Sequence, residues 1–465
     1  MQSIQNRTKK LSALKEINQF VAGIDIGSKS HFIAISSEID EENVREFSAF
    51  TSDLQQAASW LKAKNIQSVA MEATGVYWIP FYEILDAVGI EVLLVNARHV
   101  KNVPGRKSDV LDCQWIQQLH SYGLLRGAFR PSDEYCGLRS FMRQRSMLVS
   151  EGASFKLRMQ KALTQMNLHL HNVISDITGE SGIKILRDIV LGVTDPKRLA
   201  SYRTERFKCT REEMEKSLVG NYRPEHVFSL KQALDLYDFY QVKIQECDQV
   251  ISSALEKIVV QSTQAEDHGL PPSGNPPGRR KNQLHFDSRM LLLKLTGVDL
   301  TQIDGLNEQS VLKIISEVGV NMEKWPTVKH FTSWLGLAPG TKISGGKILS
   351  SRTKKCKNKA ALVFRLAANT LSRSNSALGA FLRRKKAQLG APEAITATAH
   401  KIARIFYCML KEKTPYQDLG ADYYEQKFQD RVLKKITLRA KSLGFALVKM
   451  TENAINGESH MNAIS

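Results

Sequence analysis

Four acidic residues in the first quarter of the chain have the types and surroundings of a metal-binding set. Asp25 lies between Ile24 and Ile26 in VAGIDI, where a carboxylate is costly to bury unless a cation or a donor compensates it. Glu72 closes a second apolar stretch, Val69-Ala70-Met71. Asp109 and Asp112 stand three residues apart at the start of a helical pattern, so they share a face. Carboxylates gathered from two strands and a helix repel one another. Divalent cations relieve that repulsion, and such oxygens suit Mg²⁺ (or Mn²⁺). Two ions roughly 4 Å apart can activate the attacking oxygen and stabilise the leaving one of a phosphodiester. Plainer explanations exist for three of the four. Acids near a helix N-terminus suit its dipole, which covers Asp109 and Asp112, and Glu72 can be a strand-end surface residue. Asp25, with isoleucine on both sides, is the hardest to explain that way.

The elements that must position these acids follow from the hydrophobic pattern. Val21 to Ile26 reads as a buried strand, His31 to Ser36 as a second after a turn at Gly27, and Val44 to Phe50 as a third. Ser52 is expected to cap a helix reaching Lys64, with Leu54, Ala57, Ala58 and Leu61 on one face. A strand at Ser68 to Glu72, a helix from Val76 to Val88 closed by Gly89, and a strand at Glu91 to Val95 come next. A basic loop, Arg98 to Lys107, leads to a helix capped by Ser108 and ending near Gly123. Three strands, then helix, strand, helix, strand, helix is the order of an RNase H-like α/β fold, here expected over residues 18–130. GIDIGSKS also resembles the first phosphate loop of actin-like ATPases and sugar kinases, but no second Asp-Gly phosphate loop in the right context follows it.

Residues 131–286 are expected to be a helical, coiled-coil-like middle, with Leu138, Phe141, Met142, Arg145, Leu148, Leu163, Met166, Leu170 and Val173 at rough helical spacing. It ends in a Pro/Gly-rich breaker, Gly269 to Lys281. Residues 287–425 read as a mainly α domain. Its Val298 to Gly319 segment has a helix-hairpin-helix-like pattern around Asp304-Gly305-Leu306, a turn whose N–H groups can meet a phosphate. Residues 426–465 read as a basic helical tail.

Composition narrows the partners. The 465 residues carry 65 Lys and Arg against 47 Asp and Glu, a formal charge of +18, which a polyanion such as nucleic acid would neutralise. The six cysteines form no CxxC pair, so neither a zinc ribbon nor a disulfide framework is indicated. No apolar run reaches the roughly 20 residues of a membrane span, and the N-terminus has no apolar signal core. A soluble cytoplasmic protein is expected.

The motifs GIDIGSKSHF, AMEATGVYW and GRKSDVLDCQWIQQLHSYGLL, holding Asp25, Glu72, Asp109 and Asp112, resemble the DEDD signature of transposases of the insertion-sequence "one-ten" family, which includes the Piv-type DNA invertases. WLGLAPGTKISGGKILSSRTKKCKNKAA and AITATAHKIARIFYCML resemble that family's second conserved domain. The resemblance implies a RuvC-like domain that binds metal through the four acids. It also implies a C-terminal domain whose serine, here Ser344, attacks a DNA phosphate and holds it as a phosphoserine during strand exchange. A noncoding bridge RNA pairing with donor and target DNA is implied too. So are bacterial dimers or tetramers, associated with the nucleoid when active, that set one subunit's serine beside another's acids.

Taken from its residues alone, Ser344 is a plain turn serine that needs a base or metal for activation. Gly345 and Gly346 would let a phosphate backbone approach, and Lys347 and Arg352 could stabilise charge on it. Arg98, Lys101, Arg106 and Lys107 border the acids, and Lys354, Lys355 and Lys357 border the serine, as candidate phosphate contacts. Two alternatives stand beside the recombinase reading. One is a metal-only RuvC-like nuclease or junction resolvase using water, and the other a non-catalytic nucleic-acid-binding scaffold.

Overall fold

The computed structural model describes residues 16–73, 75–96, 109–261, 282–354 and 356–448. The expected basic loop with Arg98, Lys101, Arg106 and Lys107, the Ser108 cap, the Gly269 to Lys281 breaker and Lys355 lie outside the described residues. The chain divides into two compact units, 1–130 and 131–465.

The first unit is a five-stranded mixed sheet in the order β3-β2-β1-β4-β5. Its strands are β1 (Val21–Ile26), β2 (Ser30–Ala34), β3 (Val44–Ser48), β4 (Ser68–Glu72) and β5 (Glu91–Val95). The first three form an antiparallel meander. β1, β4 and β5 run parallel, and helical crossovers join such parallel strands. This is the RNase H-like arrangement. Side-chain alternation sends Ala22, Ile24, Ile26, Val69 and Met71 to one face, where α1 (Thr51–Ala63) covers them with Leu54, Ala57, Ala58 and Leu61, and α2 (Trp78–Ala87) with Phe81 and Leu85. Ser52 is not the cap of α1. Phe50 occupies that position without a side-chain bond, and Ser52 lies inside the first turn, its hydroxyl turned to Asp53. Gly89, with φ +80°, ends the turn after α2 as expected.

The opposite face of the sheet is covered by α3 (Asp109–Ser121), whose Ile116 packs on Ala70 and Val95. The approach is closest at Gly23 of β1. A Cβ there would stand 2.1 Å from the Gln117 backbone nitrogen and 2.4 Å from the Cys113 carbonyl oxygen. Only a residue without a side chain lets strand and helix meet at this distance.

The second unit is helical apart from one hairpin among the described residues. Two long helices, α4 (Asp133–Gln165) and α9 (Pro224–Gln261), pack antiparallel. Between them in sequence lie α5 (Leu170–Val173), α6 (Glu180–Val190), α7 (Pro196–Ala200) and α8 (Arg211–Ser217), which share a core with the ends of the long pair. Midway along the pair, Arg145 is 1% exposed and ion-paired to Asp248, 2% exposed. The same guanidinium donates to the carbonyls of Asn282 and Gln283 at 3.1 and 3.2 Å, and His285 bonds the Asp248 carboxylate at 2.6 Å. Arg143 forks onto Glu317. The helical middle and the region after it are therefore stitched into one unit.

That region contains α10 (Ser288–Thr296), a 3₁₀ turn (Leu300–Gln302), α11 (Glu308–Val318), α12 (Val328–Trp334), the β6–β7 hairpin (Lys342–Ser344, Lys347–Ser350), α13 (Lys359–Thr370), α14 (Ala377–Leu389), α15 (Ala391–Glu412) and α16 (Gly420–Ser442). The Asp304-Gly305-Leu306 turn precedes α11, but its back faces protein. A Cβ on Gly305, at φ +87°, would stand 2.7 Å from the Ala367 carbonyl oxygen of α13. Burial and the charge of Asp418 push the Asp304 carboxyl up to about 6. These acidic, packed surroundings are a poor seat for a phosphate. Trp334 packs with Trp325 and Phe331. No helix among the described residues is long and apolar enough to cross a membrane.

Two outcomes are expected. Gly23→Ala should cost at least about 2 kcal/mol, because backbone on both sides must move, and denaturant unfolding followed by circular dichroism measures this. The second concerns Asp304, whose pKa is raised on folding from 3.8 to about 6, so its stabilising contribution is full below pH 3.8 and is lost as pH rises through about 6. Asp304→Asn should therefore raise the melting temperature at pH 7 and change it little at pH 4. An equal gain at both would show that its charge is not the cause.

Candidate active site

The parallel register of β1 and β4 sets the first two acids side by side. Ile24 pairs with Met71 on the core face, so the next residues, Asp25 and Glu72, both turn to the face that α3 covers. Glu72 is 6% exposed and Asp25 is half-buried. The direction of α3 brings the other two toward them. Its C-terminal end is tied to the start of β1, where the Ile17 and Asn18 N–H groups donate to the Ser121 carbonyl. Gly23 then meets Cys113 and Gln117. The helix thus runs antiparallel to β1, and its first turn, with Asp109 and Asp112, points to the strand ends that carry Asp25 and Glu72. The buried thiol of Cys113 registers the convergence. It is pushed up to about 12 by burial first, and further by the charges of Asp25 and Asp112.

The quartet is not closed into a ligand shell. Among the described residues, no group of three or more His, Cys, Asp or Glu side chains is spaced to hold a metal ion. Asp25, Glu72 and Asp112 each interact with other groups, and Asp109 is exposed. Like charges hold carboxylates apart when no cation bridges them. The donor set itself, four carboxylates, is that of a hard divalent cation. His31 is no part of the set. It pairs with Ile26 on the core face, stacks on Phe81 with ring centroids 5.8 Å apart, and has its pKa lowered by burial.

In the second unit, β6 and β7 join through Gly345 and Gly346, both at positive φ (53° and 75°). That is the two-residue turn that matches strand twist, and it demands glycine-like residues. Ser344 and Lys347 face each other directly across the ladder. Both are exposed, and no atom approaches the place where a Cβ would sit on either glycine. Arg352, Lys354 and Lys357 are exposed on the segment after β7, which leads into α13 through the Asn358 cap. No hydrogen-bond partner holds the Ser344 hydroxyl among the described residues, so nothing there acts as its base.

An RNase H-like sheet presenting acids at one edge, followed by a helical unit with an exposed, basic serine hairpin, defines a nucleic-acid-processing enzyme. Comparison with known families gives two matches. Residues 22–168 match the DEDD_Tnp_IS110 model, described as "Transposase", and residues 299–383 match a model described as "Transposase IS116/IS110/IS902 family". No curated protein matches the chain. The chain belongs to the IS110 family of transposases and is a DNA transposase/recombinase. Its DEDD domain points to the use of divalent metal.

Adding Mg²⁺ should raise the melting temperature of the first unit, since a ligand at 100 times its Kd stabilises by about 2.7 kcal/mol. Asp25→Asn/Glu72→Gln should melt no lower than wild type without metal and should lose the Mg²⁺ response. Retention of that response would place the ion elsewhere.

Proposed function

We propose that this transposase breaks and rejoins DNA strands through Ser344, with Asp25, Glu72, Asp109 and Asp112 holding Mg²⁺ or Mn²⁺ at the scissile phosphate. The observation that supports the reading is the β1–β4 register, which sets Asp25 and Glu72 on neighbouring strand ends, together with the direction of α3, whose first turn carries Asp109 and Asp112. A bound divalent ion would neutralise phosphate charge and favour deprotonation of the attacking hydroxyl. Ser344 Oγ forms a bond to phosphorus while the bond to one deoxyribose oxygen breaks. The serine proton passes to solvent or a base, and the departing oxygen takes one up. The phosphodiester count is unchanged, so a hydroxyl of another strand can reverse the step and release the serine.

Lys347, directly opposite Ser344, and Arg352 supply positive charge to the pentacoordinate phosphate. Gly345 and Gly346 leave room for the DNA backbone. Lys354, Lys355 and Lys357, together with Arg98, Lys101, Arg106 and Lys107, are assigned to phosphate positioning. A bridge RNA supplies the choice of donor and target by base pairing, and the formal charge of +18 suits two polyanionic partners. Two or four copies bring serine and acids to one phosphate, acting on nucleoid DNA in the bacterial cytoplasm.

The test incubates the protein with element-end DNA, bridge RNA and Mg²⁺, then separates products on a denaturing gel. A covalent protein–DNA adduct is expected. Ser344→Ala should abolish the adduct and reduce strand transfer by several orders of magnitude. Asp25→Asn should suppress both without unfolding the chain. Undiminished cleavage by Ser344→Ala, with no adduct in either protein, would assign the nucleophile to water.

A further inference from the structure

The most unusual charge arrangement outside the two sites lies where α15 and α16 meet. A cavity of about 610 Å³ opens there, lined by four cations, Lys401, Lys427, Arg431 and Lys434, against two carboxylates, Asp418 and Asp430, with Tyr416, Tyr423 and Tyr424 among its walls. Most of it lies beyond residue 383, where the second family match ends. None of these four cations forms an ion pair with a carboxylate among the described residues. Arg384 of α14 pairs with Glu425 of α16 beside the groove. Asp418, on the groove wall, is instead occupied by the Ala377 and Gly420 N–H groups and the Tyr416 hydroxyl.

Lys401 marks the groove as more than a solvated surface. Its ammonium lies 4.3 Å from the Phe381 ring centroid and 5.4 Å from that of Tyr424, half-buried between the two rings. Burial first, then repulsion by Arg431 and Arg404, lowers its pKa. A half-buried ammonium repelled by neighbouring guanidinium groups, beside three more unpaired cations, gains from an anion placed among them. Arg431 and Lys434 sit on the exposed side of α16, open to a long ligand.

We propose that this groove is a separate nucleic-acid contact, seating the phosphodiester backbone of a polynucleotide strand away from the hairpin serine. The proposal rests on the reading of the protein as a nucleic-acid-handling transposase. DNA and RNA share the recognised group, and the test distinguishes them.

Fluorescence anisotropy with labelled single-stranded DNA and RNA of one sequence, across a salt series, gives the readout. Arg431→Gln/Lys434→Gln should weaken binding and make the log–log salt slope shallower by roughly 1.4, at ~0.7 per single-strand phosphate contact. The control Arg439→Gln/Lys441→Gln removes the same charge from the same helix farther along and should leave the slope within about half of one contact. The strand type that loses more affinity is the groove's ligand. Both pairs are exposed on α16, so melting temperatures should match wild type. Equal losses in the two double variants, or none in the first, would overturn the proposal while wild-type binding keeps the nucleic-acid reading intact. Failure of wild type to bind either strand would overturn both.

Discussion

The contact of β1 with α3 at Gly23 is the constraint on which the acidic edge depends. Two backbones meet where any side chain would collide with the Gln117 nitrogen and the Cys113 carbonyl. The contact fixes how far α3 slides along β1, and with it the height of Asp112 relative to Asp25. Register does the same for Glu72 through the Ile24–Met71 pairing. The isoleucines, methionine and leucines of the other face hold the sheet against α1 and α2 and allow no slip of one residue, which would turn Asp25 into the core. Apolar packing on one face thus specifies carboxylate placement on the other.

The second unit follows a different rule. Its organising element is polar, the Arg145–Asp248 pair between α4 and α9. A buried pair adds little net stability over an apolar isostere, but its loss leaves an uncompensated charge. Here the guanidinium also binds the Asn282 and Gln283 carbonyls, so one side chain sets helix pairing and the return of the chain to α10 together. The hairpin with Ser344 stands outside this network.

Much of the first unit was legible because its signals are local. The alternation around Asp25, the apolar run before Glu72 and the Gly89 stop all lie within a few residues of the feature they specify. The α1 start was misplaced by two residues because Ser52 has the right chemistry for a cap, while the chain turns at Phe50. The importance of Gly23 was not legible, since its partners Cys113 and Gln117 are about ninety residues away. In the middle region the long helices were visible, and Arg145 sat at a core spacing, as the structure bears out. The four short helices between α4 and α9 interrupt that spacing, which hides their shared core. Ser344 came from motif resemblance. Its setting, two positive-φ glycines and a facing lysine, is a property of the hairpin that a Gly-Gly pair suggests only when strands flank it. The cations around Lys401 come from two helices, and an expected boundary at residue 425 cuts through the second of them, so their meeting had no signature along the chain.

The hairpin's detachment has a consequence for how the protein tolerates change. Positions 343–348 contribute exposed surface and no core. Apart from Gly345 and Gly346, whose positive φ the turn requires, sequence there is free to vary without endangering the packed helices. Gly23 has no such freedom, because any side chain there displaces the backbone of α3. The other hairpin positions can therefore change in single steps, while the strand–helix contact at Gly23 must remain as it is or move as a whole.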